Sequence, residues 1–472
     1  MLQQRIRARY ADAADLVVRP VAVGRFRLTA YFLDGLTSSA EIARFLLEPL
    51  QRAKPTGTER ELYQSCLEQT ISSAVCVACR DADDACRKLG AGFCVLIFPG
   101  MDAAIACEVK TGVKRGPEPP EVENTVKGAK DAFTETLRIN TGLVRSHLRT
   151  PELQLRERTV GRRSGTVLCV LSIRGLTNPE LTDAVVRRVE QIDVDGLLFP
   201  AAAEEYLTGS RRTAFPLLQY TERADRFCQG LLHGQVGVLA DGLPLGYLLP
   251  VNIGVLMTAA EDQGTDYLTA SGLRMIRYAA LLIALLLPAL YVAMAQFYPA
   301  MIPIKLLRAI IASKEQVPFF TVAEVLGLLV SFELLQEAGL HLPQSIGQSV
   351  SIIGGLVVGT AAVEARMISP AALIVVSAAG ICGFALPGQD LSSAVRVWRF
   401  FLTVCAAIAG LFGLTLAGIC LAVHLGTLTS LGVPYLSPFS DVSAGGVLLR
   451  RRMVEQKRRP WFFRPQDTRN QR

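Results

Sequence analysis

Four cysteines lie close together early in the chain and have side chains that can bind a metal ion. Cys76 and Cys79 form a C-x-x-C motif, with Cys66 and Cys86 within ten residues of it. A zinc site of this kind is normally completed by a second close pair or by histidine. The four histidines all lie far away in sequence: His147, His233, His341 and His424. We therefore expect no metal here and interpret the segment as reduced cysteines between a helix and a strand.

The sequence contains one acidic cluster and none of the common catalytic motifs. Asp193, Asp195, Glu204 and Glu205 form an acidic cluster without the spacing of a calcium loop, so we interpret it as a solvated loop and helix start. The chain has no phosphate-binding loop, dinucleotide fingerprint, H-E-x-x-H motif or G-x-S-x-G elbow. We expect a protein that is not an enzyme and has no cofactor.

Three glutamates lie in an otherwise apolar segment, Pro318 to Leu340. They are Glu324, Glu333 and Glu337. An ionisable group inside a bilayer is costly unless it faces protein or water. The segment is therefore expected either to line a polar path or not to span the membrane.

A second candidate surface is a row of small residues at four-residue spacing. It comprises Gly347, Ser351, Gly355 and Gly359. Small residues at this spacing allow helix backbones to approach closely. The row predicts either packing within one bundle or an oligomer seam around a central pore.

The small residues lie in one of four long stretches without charged side chains, and the segment with the three glutamates lies between the first and second of these stretches. The charge-free stretches are Tyr278 to Tyr298, Ile346 to Val363, Ile368 to Pro387 and Phe400 to Phe439. Each is about as long as a bilayer's hydrocarbon core requires of a helix. We predict an all-α transmembrane domain over residues 277–439, with four to five membrane segments.

Charge is distributed unevenly. Residues 1–277 hold 34 Lys and Arg against 33 Asp and Glu, whereas residues 450–472 hold 9 against 2. The net charge of +7 thus belongs to the basic tail, residues 440–472, and the folded body has no surplus for nucleic acid. By the positive-inside rule this tail is cytoplasmic.

We also expect a cytoplasmic N-terminus, because residues 1–25 lack a signal peptide. Two cytoplasmic ends require an even number of crossings. The four charge-free stretches and Pro318 to Leu340 make five apolar segments, so we propose that four cross the membrane and that Pro318 to Leu340 is re-entrant or peripheral. Alternatively, Phe400 to Phe439 turns back near Gly432.

The region before the charge-free stretches shows α/β patterning twice. Residues 1–150 contain a predicted strand at Phe93 to Phe98 and end in a long bridging helix, Lys130 to Arg149. Residues 151–276 restart the pattern with strand Thr166 to Ile173 and helix Asn178 to Gln191. We predict two small α/β subdomains joined by the long helix.

Several blocks in this order resemble the A-subunit type of the GerA family of spore germination proteins. They are Phe32-Leu33-Asp34-Gly35-Leu36, Leu137-Arg138-Ile139-Asn140-Thr141, Ala214-Phe215-Pro216, Thr221-Glu222-Arg223, Phe332-Glu333-Leu334-Leu335-Gln336-Glu337-Ala338-Gly339 and Gly432-Val433-Pro434-Tyr435-Leu436. The resemblance covers nearly the whole chain. The related SpoVAF-type sporulation proteins share much of the pattern.

The resemblance implies a membrane subunit of a nutrient germinant receptor in the spore inner membrane. It implies a homo-oligomer that forms or gates an ion pathway, with a permease-like B subunit and a lipoprotein C subunit as partners. It also implies that Glu333 and Glu337 hold an inward-facing helix against its neighbours. The alternatives are a SpoVAF-type accessory germination protein and a secondary transporter; we see no inverted repeat of the kind expected for a transporter.

Overall fold

The structure is a computed structural model of the chain. It describes residues 2–53, 55, 57–109, 120, 123, 125, 127–209, 212–341, 357–437, 439, 449–450 and 452–470. The chain forms two units. We call residues 1–211, 217–251 and 452–472 the α/β unit, and residues 212–216 and 252–451 the helical unit.

The first half of the α/β unit is a five-stranded sheet with helices on both faces. Its elements are α1 (Leu2–Arg9), β1 (Leu16–Val23), β2 (Phe26–Leu33), α2 (Ser39–Glu41, continued by Ile42–Leu47 and Glu48–Arg52), α3 (Glu59–Ser65, continued by Cys66–Thr70), β3 (Cys76–Cys79), α4 (Ala82–Gly90), β4 (Phe93–Phe98) and β5 (Ala103–Glu108). The strand order is β1-β2-β4-β5-β3, and every neighbouring pair is antiparallel.

Alternation along the strands builds a core on each face of this sheet. In β2, Leu28, Ala30 and Phe32 pack into the core under α2 and α3, whereas Tyr31 and Leu33 pack against α1 and α4. Successive strand residues point to opposite faces, so a strand buried on both sides is apolar throughout. The apolar run of β4 follows from this, because five of its six residues are buried.

The second half of the unit repeats this plan. Its elements are α5 (Leu137–His147), β6 (Leu153–Val160), β7 (Thr166–Ile173), α6 (Pro179–Glu190), α7 (Pro200–Thr208), β8 (Gln219–Thr221), α8 (Ala224–His233), β9 (Val236–Ala240) and β10 (Gly246–Leu249). The strand order is β6-β7-β9-β10-β8. The predicted α/β fold class of the N-terminal region is confirmed.

The bridging helix is shorter than predicted. It spans Leu137–His147, not Lys130 to Arg149, because side chains hold the preceding residues away from helical geometry. Asn140 Oδ1 accepts from the Thr134 backbone N–H at 2.8 Å, and its Nδ2 donates to the Thr134 carbonyl. Asp241 accepts from the Leu137 N–H at 3.0 Å, which satisfies a donor at the start of α5.

The helical unit contains two helices among its described residues that are long and apolar enough to cross a membrane. These are α11 (Tyr267–Phe297) and α16 (Gln389–Thr427). The other elements are α9 (Ile253–Leu256), α10 (Glu261–Gly264), α12 (Ile304–Lys314), α13 (Thr321–His341), α14 (Ala362–Glu364, preceded by Val357–Ala361), α15 (Pro370–Phe384), β11 (Thr429–Ser430) and β12 (Val433–Pro434). The helical character of the C-terminal part agrees with the prediction, although the described residues do not establish a full set of four or five crossings.

Glycines bend the chain at two places in the helical unit. Within α16, Gly410 has φ 59° and ψ −139°, which breaks the helix. Beyond α16, Leu431 (φ 45°) and Gly432 (φ 81°) form the two-residue turn between β11 and β12. Left-handed residues at both central positions are typical of a tight hairpin turn. Val433 and Pro434 therefore belong to a hairpin.

The described tail residues pack within the α/β unit. Gln466 donates its backbone N–H to the Leu176 carbonyl at 2.8 Å, and Arg459 Nε donates to the Leu232 carbonyl at 2.9 Å. Phe463 is fully buried. Part of the basic tail therefore contributes to the fold of the region that precedes the apolar helices.

Candidate site: an ion-pair cluster beside a cavity in the helical unit

Glu333 forms ion pairs with two arginines of α16. Its Oε2 lies 2.9 Å from Arg396 Nη1, and its Oε1 lies 3.0 Å from Arg399 Nη2. One carboxylate thus bridges two guanidinium groups one helical turn apart, since residues at i and i+3 share a helix face. The predicted polar residue Glu333 does contact a neighbouring helix.

Polar side chains complete the surroundings of Arg396. Gln336 Oε1 accepts from Arg396 Nη1 at 2.7 Å, and Ser393 Oγ accepts from Arg396 Nη2 at 2.7 Å. Arg399 is only 5% exposed. Charged groups this far removed from water persist when they are paired and hydrogen-bonded, which is the case here.

The cluster borders a cavity of about 300 Å³ between helices of the unit. Among its lining residues are Phe332, Leu373, Ser377, Gly380, Phe384 and Arg396. Most of the lining is therefore apolar, and charge is concentrated where Glu333 meets the two arginines. This combination is typical of a pocket in which a few polar groups act inside an apolar space.

Glu324 occupies a different environment, one turn into α13. Its Oε1 accepts from the backbone N–H of Ser369, the residue that caps α15. Ser369 Oγ in turn accepts from the Ala372 N–H at 3.3 Å. A carboxylate at a helix N-terminus is stabilised by the unpaired N–H groups there and by the helix dipole. Glu324 therefore fixes the contact between α13 and the start of α15.

The other predicted residues are Glu337 and the row of small residues. Glu337 is exposed on α13, one turn beyond Glu333. Gly359 lies in the turn Val357–Ala361 and lines the cavity, and a Cβ placed on it would meet no described atom within 4 Å. Gly347, Ser351 and Gly355 lie outside the described residues, so the seam proposed for them stays a prediction.

Arg396 and Arg399 were not selected from the sequence. The last charge-free stretch begins at Phe400, immediately after Arg399. The helix itself begins at Gln389, ten residues before Arg399. The signal that could have found them is their i, i+3 spacing on the first turns of a very apolar helix. Two cations there need a counter-charge, and Glu333 on the preceding long helix is of the right sign.

A second cluster, of aromatic residues, holds a loop from earlier in the chain. Phe215 packs within 6.3 Å, centroid to centroid, of Trp398, His424 and Tyr435. Thr213 Oγ1 lies 2.9 Å from His424 Nε2. The resemblance block Ala214-Phe215-Pro216 is therefore an anchor inside the helical unit.

Neither the cysteines near Cys76 nor the acidic residues near Asp193 form a metal site in the part of the chain that the structure describes. Asp193 pairs with Arg162 at 2.8 Å on the surface, and Cys76 and Cys79 lie on strand β3 rather than around a common centre.

Taken together, fold and site define a protein with an α/β region and an apolar, membrane-type helical region that contains buried ion pairs. Residues 4–462 match the family model described as Bacillus/Clostridium GerA spore germination protein. The chain belongs to the GerA family, as the A-subunit-type resemblance predicted.

Several related proteins can be aligned with most of the chain. It is 34% identical to the uncharacterized membrane protein YfkQ of Bacillus subtilis, over 92% of this chain and 84% of YfkQ. It is 32% identical to spore germination protein KA of Bacillus subtilis, over 92% of this chain and 80% of that protein. It is 31% identical to spore germination protein GerLA of Bacillus cereus, over 93% of this chain and 89% of GerLA.

Among solved structures, the N-terminal domain of the A subunit of the Bacillus megaterium spore germinant receptor GerK3 aligns with 52% of this chain and 92% of its own. The TM-score is 0.40 and the sequence identity is 21%.

Proposed function

We propose that this chain is a non-enzymatic membrane subunit of a spore nutrient germinant receptor, of A-subunit type, and that it forms or gates an ion pathway. Membership of a family of spore germination proteins supports the receptor role. The observation that carries the ion pathway is the bridging of Arg396 and Arg399 by Glu333 beside a cavity. Ionisable residues within apolar segments mark ion paths because they are otherwise too costly to keep there.

The bridging geometry suggests how the cluster acts. Glu333 neutralises only one of the two guanidinium charges, so the three side chains together carry a charge of +1. A movement of α13 relative to α16 by one turn would break the ion pair with one arginine, and it would redistribute the field at the cavity wall. In the proposal this rearrangement opens the pathway when a permease-like B subunit binds nutrient.

Spores in which Glu333→Gln replaces the carboxylate test this proposal. The change keeps the shape of the side chain, removes the counter-charge of both arginines and leaves a buried and a half-buried cation side by side. We expect K⁺ release on exposure to nutrient to fall at least tenfold while the protein still reaches the spore membrane. Glu315→Gln, at an exposed position shortly before α13, is the matched control and is expected to release K⁺ normally.

Normal K⁺ release from Glu333→Gln spores, at wild-type protein levels, would contradict the role of the cluster in ion flow. The double variant Glu333→Gln, Arg396→Gln removes one of the two cations that lost their counter-charge. Partial recovery in the double variant is expected if charge balance, rather than one particular side chain, sets the state of the path.

The oligomeric part of the proposal rests on the small residues predicted from the sequence, Gly347, Ser351, Gly355 and Gly359. Gly355→Leu would separate helices that meet there, whereas Leu356→Val on another face should be mild. Cross-linking in spore membranes is expected to yield oligomers for the wild type and Leu356→Val and monomers for Gly355→Leu. Oligomers of unchanged abundance in Gly355→Leu would restrict this helix to packing within one bundle.

We place the subunit in the spore inner membrane with both ends cytoplasmic and with a permease-like B subunit and a lipoprotein C subunit as partners. The excess of cations in the tail and the positive-inside rule support this topology. A cysteine introduced as Arg5→Cys or Asn470→Cys should resist an impermeant maleimide added to intact cells and react after lysis. Labelling of position 470 from outside would require an odd number of crossings.

A further inference from the structure

Three cysteines lie side by side on neighbouring strands of the first sheet. Cys107 on β5 is directly opposite Cys76 on β3 and directly opposite Cys94 on β4. Residues directly opposite in antiparallel strands project from the same face. All three therefore face the core beneath α2 and α3, where Cys94 and Cys107 are fully buried and Cys76 is partly exposed.

The sulfur atoms of Cys76 and Cys107 are in contact, 3.4 Å apart. Next to them Glu108 donates its backbone N–H to the Val75 carbonyl at 2.9 Å. Hydrogen-bonded and non-hydrogen-bonded pairs alternate along an antiparallel ladder, so Cys76 and Cys107 form a non-hydrogen-bonded pair, whose Cα atoms lie about 4.5 Å apart. That separation is within the range of about 4.4–6.8 Å found in disulfides.

The two thiols differ in access and in acidity. β3 is the edge strand of the sheet, so Cys76 can be reached from solvent, whereas Cys107 is covered. The hydrogen bond between the two sulfur atoms lowers the pKa of Cys76, and the same contact together with burial raises the pKa of Cys107. Burial also raises the pKa of Cys94, to about 12. Oxidants react with accessible thiolates, so Cys76 is the sulfur that reacts first.

We propose that Cys76 and Cys107 are a modification site at which a hydroperoxide forms a reversible disulfide between strands β3 and β5. The Cys76 thiolate attacks one peroxide oxygen; an S–O bond forms, the O–O bond breaks, and hydroxide leaves. The Cys107 sulfur then attacks the Cys76 sulfur; the S–S bond forms, the S–O bond breaks, and the Cys107 proton leaves with the hydroxide as water. In total, two thiols and hydrogen peroxide give one disulfide and two water molecules.

The disulfide would fasten the edge of the sheet. β3 pairs with one strand and is only four residues long, half the length of β1 at the other edge of the sheet. Short edge strands open locally more readily than central ones. Oxidation is therefore expected to slow backbone hydrogen exchange in β3 and leave the central strand β4 unchanged.

The test uses the full chain purified in detergent, treated with hydrogen peroxide and then alkylated. Trypsin releases Cys66, Cys76 and Cys79 together in the peptide Glu61–Arg80, and Cys94 and Cys107 together in Leu89–Lys110. We expect these two peptides to be cross-linked with the loss of two hydrogens and to separate after dithiothreitol. Fragmentation should assign the link to Cys76 and Cys107.

Two single variants decide the assignment. Cys76→Ser should abolish the cross-link, whereas Cys79→Ser, on the same strand but facing the other side, should form it to the wild-type extent. A cross-link that survives in Cys76→Ser, one that joins Cys76 to Cys79 or Cys66, or thiols that all remain alkylatable after peroxide would overturn the proposal. Cys76 is partly exposed, so its serine variant is expected to fold even where Cys107→Ser does not.

Discussion

Asp15 and Arg145 form a buried ion pair that joins the start of the first sheet to helix α5. Arg145 Nη2 lies 2.7 Å from Asp15 Oδ1, Arg145 Nε donates to Asp15 Oδ2, and the two side chains are 1% and 0% exposed. The residues are 130 positions apart in the chain. The pair therefore connects the two α/β halves, and neither charge has access to water.

Arg145→Met should destabilise the α/β unit strongly, because it leaves the Asp15 carboxylate buried without its partner. Removing one member of a buried pair costs about 3–5 kcal/mol. Thermal unfolding of the purified protein would show the loss. Arg149→Met, at an exposed position just after α5, is the control and should change stability by less than about 0.5 kcal/mol. Asp15→Leu combined with Arg145→Met removes both charges and should recover part of the loss; a double variant less stable than the single one would show that the pair is not the cause.

His147 should make the stability of this unit depend on pH. Its Nε2 lies 2.5 Å from Asp131 Oδ2, and this hydrogen bond raises the pKa of His147 more than burial lowers it. Asp225 raises that pKa further and Arg149 opposes it. A raised folded-state pKa stabilises the fold below the unfolded value of about 6.5, and the contribution is lost as pH rises through the folded-state pKa.

Melting temperatures measured from pH 5.5 to 8.5 would check this dependence. The wild type should lose stability as pH rises through this interval, and His147→Gln should lose less. Asp131→Asn should resemble His147→Gln, since it removes the group that raises the pKa. Parallel pH profiles for the wild type and His147→Gln would contradict the assignment.

Two strands could be predicted from the sequence alone, whereas the ion pairs of Glu333 could not. Strands Phe93–Phe98 and Thr166–Ile173 were predicted with the observed bounds because each is a continuous apolar run between turn residues. The pairing of Glu333 with Arg396 and Arg399 could not be read in this way, because its members lie 63 and 66 positions apart. Periodicity reports which face of a helix is apolar, but it does not report which distant helix that face meets.

The bridging helix shows a different limit. Residues 130–136 have ordinary helical composition, and the pattern alone favours a helix through them. The Asn140 side chain competes successfully for the backbone of Thr134, and local side-chain hydrogen bonds of this kind end helices where propensity would continue them.

Gly410→Ala should destabilise the helical unit. Gly410 has a positive φ of 59°, and a Cβ on it would lie 2.9 Å from Cγ of Phe297. Non-glycine residues in such a region cost about 1–3 kcal/mol, and the contact with the ring adds to this. Thermal stability in detergent should fall accordingly. Gly418→Ala, in the regular part of the same helix with no described atom within 4 Å, should be neutral or stabilising. Equal stability of the two variants would show that the kink can relax without cost.

Phe215→Ala should loosen the loop that is held in the helical unit. The Phe215 side chain is buried and contacts three aromatic rings, and removal of such a ring typically costs about 3–5 kcal/mol. Limited proteolysis at the neighbouring Arg211 and Arg212 should become faster in this variant. Phe412→Ala removes a ring that is 69% exposed and should leave the cleavage rate unchanged. Unchanged cleavage in Phe215→Ala would show that the loop is held by other contacts.

The chain passes between its two units four times, at residues 211–212, 216–217, 251–252 and 451–452. No single cut therefore separates one unit from the other. A chain shortened to end at Val251 would lose Arg459 and Gln466, which bond to Leu232 and Leu176, and would present Phe215 to solvent without its partners. For expression of the α/β unit alone, this means that the useful boundary is discontinuous: a short polar linker would have to replace residues 212–216, and residues 452–470 would have to be rejoined after residue 251.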